Sequence, residues 1–365
     1  MKFDVAILGL APQGLALLRT FARMGLNVLA IGTPSQVGIK SKYGKIFIIK
    51  KLDELKSILE KYIQKNTIVQ VTSDYFLNYL LKNYPETFLS YNIFPSYDAA
   101  NIFANKFKTG ILSQQLGINY PKCYILKDID IKNFNLFPSI LKWNIRYKET
   151  TFKTVVINST KELQLHWSNF TTQERENLLL QEYIKGGFDT DISYGGYWEN
   201  GIEKVGIVII QKRKFPYPGG LASCVVEETN NSYVVEVRKI AQKILSYVKY
   251  EGFVEVECKI VPQNKQVYLI EVNPRACGWI KILMDRFVNI VLKGEVDKNS
   301  SKKLIWINLV RDIRAGFYLL RKYRDPKWII DMFKDYLKFP IWDIFDLRDI
   351  KPFLWQFRKL LWRLK

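Results

Sequence analysis

Short apolar runs alternate with amphipathic stretches over the first hundred residues. Residues 3–9 and 27–32 have the composition of buried strands, and the segment between them, APQGLALLRTFARMG, has the pattern of a helix. A third strand pattern, TIVQVTSD, covers residues 67–74. Because strands that alternate with helices favour a parallel sheet with right-handed crossovers, we predict a parallel α/β domain over residues 1–100.

The first predicted strand-to-helix turn contains Gly9 and Gly14. It lacks the complete G-x-G-x-x-G pattern of a dinucleotide site, so a turn used for packing or for substrate is the favoured interpretation.

The pattern changes after the first hundred residues, where two hairpins are the clearest feature. Residues 191–215 turn at Asn200-Gly201, a type I′ signal, and residues 253–273 turn at PQNK. An amphipathic helix, VVEVRKIAQKILSYVKY, separates them. The other predicted elements are a helix beginning near residue 101 and strands at 137–143 and 178–184. Together these elements predict an α+β module over residues 101–295.

Aromatic and basic residues concentrate in residues 296–365, which we predict to be a helical C-terminal extension. Its last segment, 351–365, is KPFLWQFRKLLWRLK, and the residues at helical spacing on one side are Leu354, Phe357, Leu361 and Leu364. Such a helix either docks on the body of the protein, which we favour, or lies on an anionic membrane surface. We expect a cytoplasmic protein, because the N-terminus lacks a signal-peptide pattern and no apolar run reaches about 18 residues.

Composition limits the chemistry. The chain has 55 Lys and Arg against 35 Asp and Glu, a net charge of +20, which favours anionic partners. Four cysteines without a C-x-x-C pair make a disulfide framework or a thiolate zinc site unexpected. With His166 as the single histidine, histidine-based catalysis is also unexpected.

The second hairpin carries the candidate chemistry. Since side chains alternate between the faces of a strand, Glu255, Glu257 and Lys259 are predicted to share one face. On the return strand, Leu269, Glu271 and Asn273 are predicted to share a face, with Glu257 opposite Glu271 in one register. Two adjacent carboxylates repel each other unless a cation lies between them, and carboxylate and amide oxygens suit Mg²⁺. The alternative is a solvated hairpin face.

The segment Glu271-Val272-Asn273-Pro274-Arg275 resembles the closing Glu-x-Asn-x-Arg signature of the ATP-grasp superfamily, in its carboxylate–amine ligase branch. The strand Gly252-Phe253-Val254-Glu255-Val256-Glu257 is similar to the metal-ligand strand before it. The resemblance implies that Glu257, Glu271 and Asn273 hold Mg²⁺, or alternatively Mn²⁺. It also implies that Arg275 steadies the transferring phosphoryl group.

The resemblance covers about 300 residues and implies an ATP site built between two lobes. Lys106 and Lys142 occupy the positions of its two phosphate-binding lysines. The segment at 181–186 resembles the hinge that reads adenine, and its matching residues are Gln181, Glu182, Tyr183 and Ile184. Either Asp189 or Asp191 is expected to contact ribose.

Two regions depart from the family or leave choices open. The glycine-rich flap is replaced by WNIRYKETTFKT, so Arg146, Lys148 or Lys153 is expected to cover the phosphates. The segment 211–223 resembles the substrate side of the ligase branch, where Arg213 is our candidate for holding a substrate carboxylate as a bidentate fork.

These observations predict an ATP- and Mg²⁺-dependent ligase that activates a carboxylate as an acyl phosphate for attack by an amine or similar nucleophile. Small-molecule acids and amines are the expected partners, and nucleic acid is not. The alternatives are a protein that binds nucleic acid or a membrane surface, and a nucleotide-binding regulator without turnover.

Overall fold

The structure is a computed structural model that describes residues 2–147, 152, 154–217, 219–295 and 303–362, with side chains described as far as residue 359. Two of the residues proposed to cover the phosphates, Lys148 and Lys153, lie outside the described residues.

The N-terminal domain is built on a five-stranded parallel sheet with the strand order β3-β2-β1-β4-β5. Its strands are β1 (Val5–Leu8), β2 (Val28–Gly32), β3 (Lys45–Ile48), β4 (Ile68–Val71) and β5 (Asn92–Phe94). Its helices are α1 (Pro12–Arg23), α2 (Glu54–Tyr62), α3 (Asp74–Asn83) and the short α4 (Thr87–Ser90). The predicted parallel domain is confirmed. The sequence pattern missed β3 and β5 because both are edge strands whose side chains are largely half-buried or exposed.

A small antiparallel sheet forms the first lobe of the following module, in the order β6-β9-β7-β8. Its strands are β6 (Cys123–Ile125), β7 (Ser139–Trp143), β8 (Thr154–Ile157) and β9 (Leu178–Glu182). The helices around it are α5 (Tyr97–Phe103), α6 (Lys106–Gln115), α7 (Thr160–Ser168) and α8 (Thr172–Glu176). Helix α7 packs on this sheet, whereas α5 and α6 contribute buried residues to the core of the seven-stranded sheet described next. The single helix predicted from residue 101 is wrong, because Asn105 caps a new helix there and accepts a hydrogen bond from the Lys108 N–H.

A seven-stranded sheet forms the second lobe, in the order β14-β13-β10-β11-β12-β15-β16. Its strands are β10 (Asp191–Glu199), β11 (Ile202–Phe215), β12 (Leu221–Glu227), β13 (Gly252–Val261), β14 (Gln266–Asn273), β15 (Ile305–Ile307) and β16 (Ile341–Trp342). Both predicted hairpins are present, and Asn200 and Gly201 have φ of 48° and 76°, as a type I′ turn requires. Helix α9 (Ser232–Tyr247) packs on one face of this sheet.

The C-terminal part of the chain extends this sheet and is not purely helical as predicted. Strand β15 pairs with β12, and its three residues are too few for a sequence pattern to reveal. The helices around it are α10 (Met284–Phe287), α11 (Leu309–Tyr323), α12 (Lys327–Tyr336) and α13 (Lys351–Trp362). None of the helices described for this chain combines the length and the apolar character needed to cross a membrane.

Helix α13 docks on the N-terminal domain. Its Phe353 and Trp355 pack against a buried cluster of Leu15, Val37 and Ile344. Leu354 and Phe357, the side predicted to be apolar, are about half exposed instead.

Candidate functional site

A cleft of about 750 Å³ lies between the four-stranded sheet and the seven-stranded sheet, and residues of the N-terminal domain line one side of it. One face of the seven-stranded sheet forms part of its wall. The side chains on this face that line the cleft are Asp191, Gln211, Glu255, Glu257, Lys259, Glu271, Asn273 and Trp306.

An acidic cluster lies where β13 and β14 pair. Glu257 is opposite Glu271, as predicted, and Glu255 is opposite Asn273. The register shifts between Glu257 and Cys258, so that Leu269 faces the buried core with Cys258. The prediction that Leu269 shares the face of Glu271 is therefore wrong, because a bulge reverses the alternation of side chains.

Asn273 connects the members of this cluster. Its Nδ2 donates to Glu255 Oε2 at 3.1 Å and to Glu257 Oε1 at 2.6 Å, and its Oδ1 accepts from Arg275 at 3.2 Å. Lys106 Nζ lies 2.9 Å from Glu271 Oε1. The two sequence motifs that carry these residues are therefore brought into direct contact.

Glu255, which has no role in the sequence-based prediction, forms a hydrogen bond with Trp279. The indole Nε1 donates to Glu255 Oε1 at 2.7 Å. Burial first, and then the nearby carboxylate of Glu257, raises the pKa of Glu255 to about 8. A divalent cation bound here would lower this pKa.

The protein supplies only part of a metal site. Across the described residues, no group of three or more His, Cys, Asp or Glu side chains is arranged to hold an ion. Glu257 and Glu271 fit two positions of a Mg²⁺ shell, and Mg²⁺ takes its remaining ligands from water and substrate phosphates. Asn273 would present its oxygen to the ion after a half-turn of its amide.

Two lysines face the acidic cluster across the cleft. Lys142 on β7 is 5% exposed and Lys106 is at the first position of α6. Burial, opposed by the charge of Glu271 and assisted by that of Lys106, lowers the pKa of Lys142 to about 8. A buried lysine that has no hydrogen-bonded carboxylate among the described residues suits an anionic ligand.

The predicted hinge follows β9, and the structure brings only part of it to the cleft. Gln181 and Tyr183 line the cleft. Glu182 accepts a hydrogen bond from the Lys122 N–H, and Ile184 is buried outside the cleft lining. Of the two ribose candidates, Asp191 lines the cleft and bonds Lys214 and Lys259, whereas Asp189 does not line it.

Arg275 reaches across to the N-terminal domain. Its Nη2 donates to Asp74 Oδ2 at 2.8 Å, at the start of α3. Burial opposes ionisation of Asp74, but Arg275 keeps the pKa of Asp74 below its usual value. No sequence signal pointed to Asp74, because 201 residues separate it from Arg275.

Arg213 lies outside the cleft lining, contrary to its predicted role. Its guanidinium is bound to Asp312 at 2.9 Å and to Asp335 at 2.7 Å, and its side chain is 1% exposed. The register of β11 shifts between Gln211 and Arg213, which turns Arg213 to the opposite face of the sheet. Gln211 and Lys214 line the cleft instead.

The three sheets and the nucleotide-sized cleft between the four-stranded and the seven-stranded one define the ATP-grasp fold, which confirms the fold predicted from the sequence. No family model matches the chain, and no curated protein matches it in sequence.

Solved structures do match. N5-carboxyaminoimidazole synthetase from Staphylococcus aureus aligns with a TM-score of 0.65 and 19% identity over 88% of this chain and 86% of that chain. The synthase from Aspergillus clavatus, solved with ADP and 5-aminoimidazole ribonucleotide, gives 0.63 and 13% over 83% and 81%. Biotin carboxylase from Campylobacter jejuni gives 0.60 and 14% over 83% and 75%. At these identities the likeness is one of fold.

Proposed function

We propose that this protein is an ATP- and Mg²⁺-dependent ligase that joins a carboxylic acid to an amine or a similar nucleophile. One observation carries the proposal. Lys106, Lys142 and the Glu257–Glu271 pair, which lie on four separate elements, face one cleft between two lobes. Cations for phosphates beside oxygen ligands for a divalent ion are what a magnesium–nucleotide site requires.

Different residues of the cleft contact different parts of the nucleotide. Lys142 and Lys106 bind its phosphates. The Lys106–Glu271 ion pair would separate on nucleotide binding, because Lys106 would contact phosphate oxygens and Glu271 would contact Mg²⁺. Backbone groups near Gln181 and Tyr183 contact adenine, and Asp191 contacts ribose. The nucleotide complexes solved for proteins of this fold support this placement.

Mg²⁺, held by Glu257, Glu271 and the Asn273 amide, would neutralise phosphate charge when bound. Arg275 stabilises the phosphoryl group in transfer, and Asp74 fixes the orientation of its guanidinium. These side chains form no covalent bond with substrate, because positioning and charge neutralisation supply the acceleration.

The reaction has two steps. An oxygen of the substrate carboxylate bonds to the γ-phosphorus of ATP, and ADP leaves with the electrons of the broken phosphorus–oxygen bond. The amine nitrogen then bonds to the carbonyl carbon of the acyl phosphate and loses a proton, and inorganic phosphate leaves. The neighbours in fold named above use small-molecule substrates, and we infer small-molecule acids and amines here too.

The test is ADP release by the purified protein with ATP, Mg²⁺ and paired acids and amines. Glu271→Gln removes one carboxylate charge without changing the shape of the side chain, so substrate-dependent ADP release should fall to background. Glu199→Gln is the matched control, since Glu199 lies at the exposed hairpin turn and pairs only with Lys204 among the described residues. Full turnover in Glu271→Gln would remove the metal assignment.

Binding measurements distinguish the ligase from the two alternative functions. Wild-type protein that binds ATP but releases no ADP with any pair would favour a nucleotide-binding regulator. A salt-sensitive gel shift without ATP hydrolysis would favour nucleic-acid binding.

A further inference from the structure

The cleft continues past the acidic cluster to a second end, formed by β12, β15 and the first turn of α11. Residues lining this end are Gly219, Gly220, Leu221, Ala222, Trp306, Asn308 and Arg311. Three strands separate β15 from β13 in the sheet, a distance of ~19 Å at ordinary strand spacing. Within this sheet, β15 is therefore remote from β13, the strand that carries Glu255 and Glu257.

Trp306 contributes a buried hydrogen-bond donor that has no acceptor among the described residues. It is opposite Val225, which is opposite Gln211, so it lies on the cleft face of the sheet. The side chain is only 1% exposed, and its Nε1 has no hydrogen-bond partner in the part of the chain that the structure describes. A buried donor without an acceptor is costly and uncommon, which points to a ligand atom that accepts from it.

Arg311 contributes a positive charge that lacks a carboxylate partner. Its Nη1 donates to the Ala222 carbonyl at 2.6 Å, and no ion pair of Arg311 occurs among the described residues. Asp343 is the acid that interacts electrostatically with Arg311. Its carboxylate already accepts a hydrogen bond from Asn308. Burial lowers the pKa of Arg311, and its place in the first turn of α11 adds the positive end of the helix dipole.

The other cations described nearby have carboxylate partners. Lys214 and Lys259 share Asp191, and Arg213 is held by Asp312 and Asp335 on the far face. Among the described residues named for this end of the cleft, Arg311 is the cation without a carboxylate partner, and the buried donor Trp306 lines the same end.

We propose that Arg311 and Trp306 bind an anionic group of the substrate, a carboxylate or a phosphoryl group, that is separate from the group activated by ATP. This inference rests on the proposed ligase function and narrows its substrate class. One of the two molecules joined carries a second anion, far from its reacting atoms. A guanidinium and an indole N–H together match two oxygens of such a group.

The experiment follows the Trp306 indole N–H in the full-length protein labelled with ¹⁵N-tryptophan. The Trp306 signal is assigned by its loss in Trp306→Phe, which keeps an aromatic ring. Inorganic phosphate and acetate are titrated separately, with Mg²⁺ and a non-hydrolysable ATP analogue present to fill the nucleotide site. The two titrations distinguish a phosphoryl from a carboxylate ligand.

We expect a saturable shift of the Trp306 signal with at least one anion. In Arg311→Gln the anion should bind about tenfold more weakly or worse, the loss expected when a charge-assisted contact is removed. Arg314→Gln, an exposed arginine on the same helix, should match the wild type. No saturable shift in the wild type, or equal binding in Arg311→Gln, would overturn the proposal.

Nucleotide binding is measured on the same samples by calorimetry and reports separately on the proposed function. Arg311→Gln should bind the ATP analogue with unchanged affinity. If the wild type fails to bind the analogue, the ligase proposal fails, while the Trp306 signal still shows whether an anion binds beside Arg311. Once substrates are known, Arg311→Gln should raise KM for one of them about tenfold and leave KM for ATP unchanged.

Discussion

Three arginines of this protein show how surroundings assign different tasks to one side chain. Arg213 is enclosed by two buried aspartates, and its charge is fully used inside the fold. Arg275 is paired with one aspartate at the edge of the cleft, and Arg311 lines the cleft without an ion-pair partner in the described part of the chain. We therefore assign Arg213 to stability, Arg275 to the phosphoryl group and Arg311 to substrate.

Replacing Arg213 should destabilise the protein without affecting substrate. Arg213→Met leaves Asp312 and Asp335 buried with less compensation, and losing one partner of a buried pair costs about 3–5 kcal/mol. Urea unfolding measures the effect, and exposed Arg314→Met should stay within about 0.5 kcal/mol of the wild type. Unchanged stability together with a raised KM for an acid would restore the role predicted from the sequence.

The pKa of Lys142 predicts a pH dependence of nucleotide binding. The side chain is charged below about pH 8 in the free protein, and bound phosphates would hold its proton to higher pH. Affinity for ATP should be full below about pH 8 and then fall with rising pH, by at most about tenfold per pH unit.

Calorimetry without divalent ions tests this dependence. Glu255 titrates in the same range, so Lys142→Arg, which stays charged, is the comparison that isolates the lysine. An identical decline in both proteins would show that Lys142 is not the titrating group.

At the scale of elements, the β13–β14 hairpin positions the acidic cluster and β10 supports it. Gly195 on β10 is opposite Glu255, and a Cβ there would lie 2.3 Å from the Trp279 ring. The absence of a side chain therefore lets Trp279 lie against the sheet and donate to Glu255.

Gly195→Ala should impair the site although Gly195 is outside the cleft lining. The added methyl group displaces Trp279, which we expect to cost about 1–3 kcal/mol of stability and to release Glu255 from its hydrogen bond. ADP release and urea unfolding measure the two effects. Gly187→Ala is the control, because its Cβ would meet nothing within 4 Å. Wild-type ADP release in Gly195→Ala would mean that Glu255 needs no support.

At the scale of the molecule, the cleft depends on contacts between segments far apart in the chain. One core cluster joins the N-terminal sheet to the seven-stranded sheet, and Arg275 and Asp74 connect them at the cleft. The C-terminal segment contacts helix α1 of the N-terminal domain through the buried Arg19–Asp349 ion pair at 2.9 Å. The domain limits at residues 100 and 295 stay a prediction.

Removing α13 tests the docked arrangement. A chain ending at Ile350 loses the packing of Phe353 and Trp355 and should be less stable by about 2 kcal/mol, seen as a lower melting temperature. Membrane contact through 351–365 remains a prediction, and co-sedimentation with anionic vesicles checks it. Vesicle binding by the full chain alone, with equal melting temperatures, would favour the membrane surface over docking.

The sequence by itself determined the features that depend on local patterns. Apolar period and turn chemistry identified the parallel domain and both hairpins, because neighbouring residues alone decide them, and they allowed the Glu257–Glu271 pairing as one possible register. The resemblance of separate sequence segments to one family pointed to Lys106, Lys142 and Asn273, which the fold then brings to one cleft.

Only the tertiary structure decided what depends on distant partners or on one-residue shifts. A shift within β11 turned Arg213 away from the cleft, and a shift beside Glu257 buried Leu269. Asp74 and Arg311 join the cleft through contacts with residues more than eighty positions away. A local pattern cannot encode such contacts, because they exist only once the three sheets have packed together.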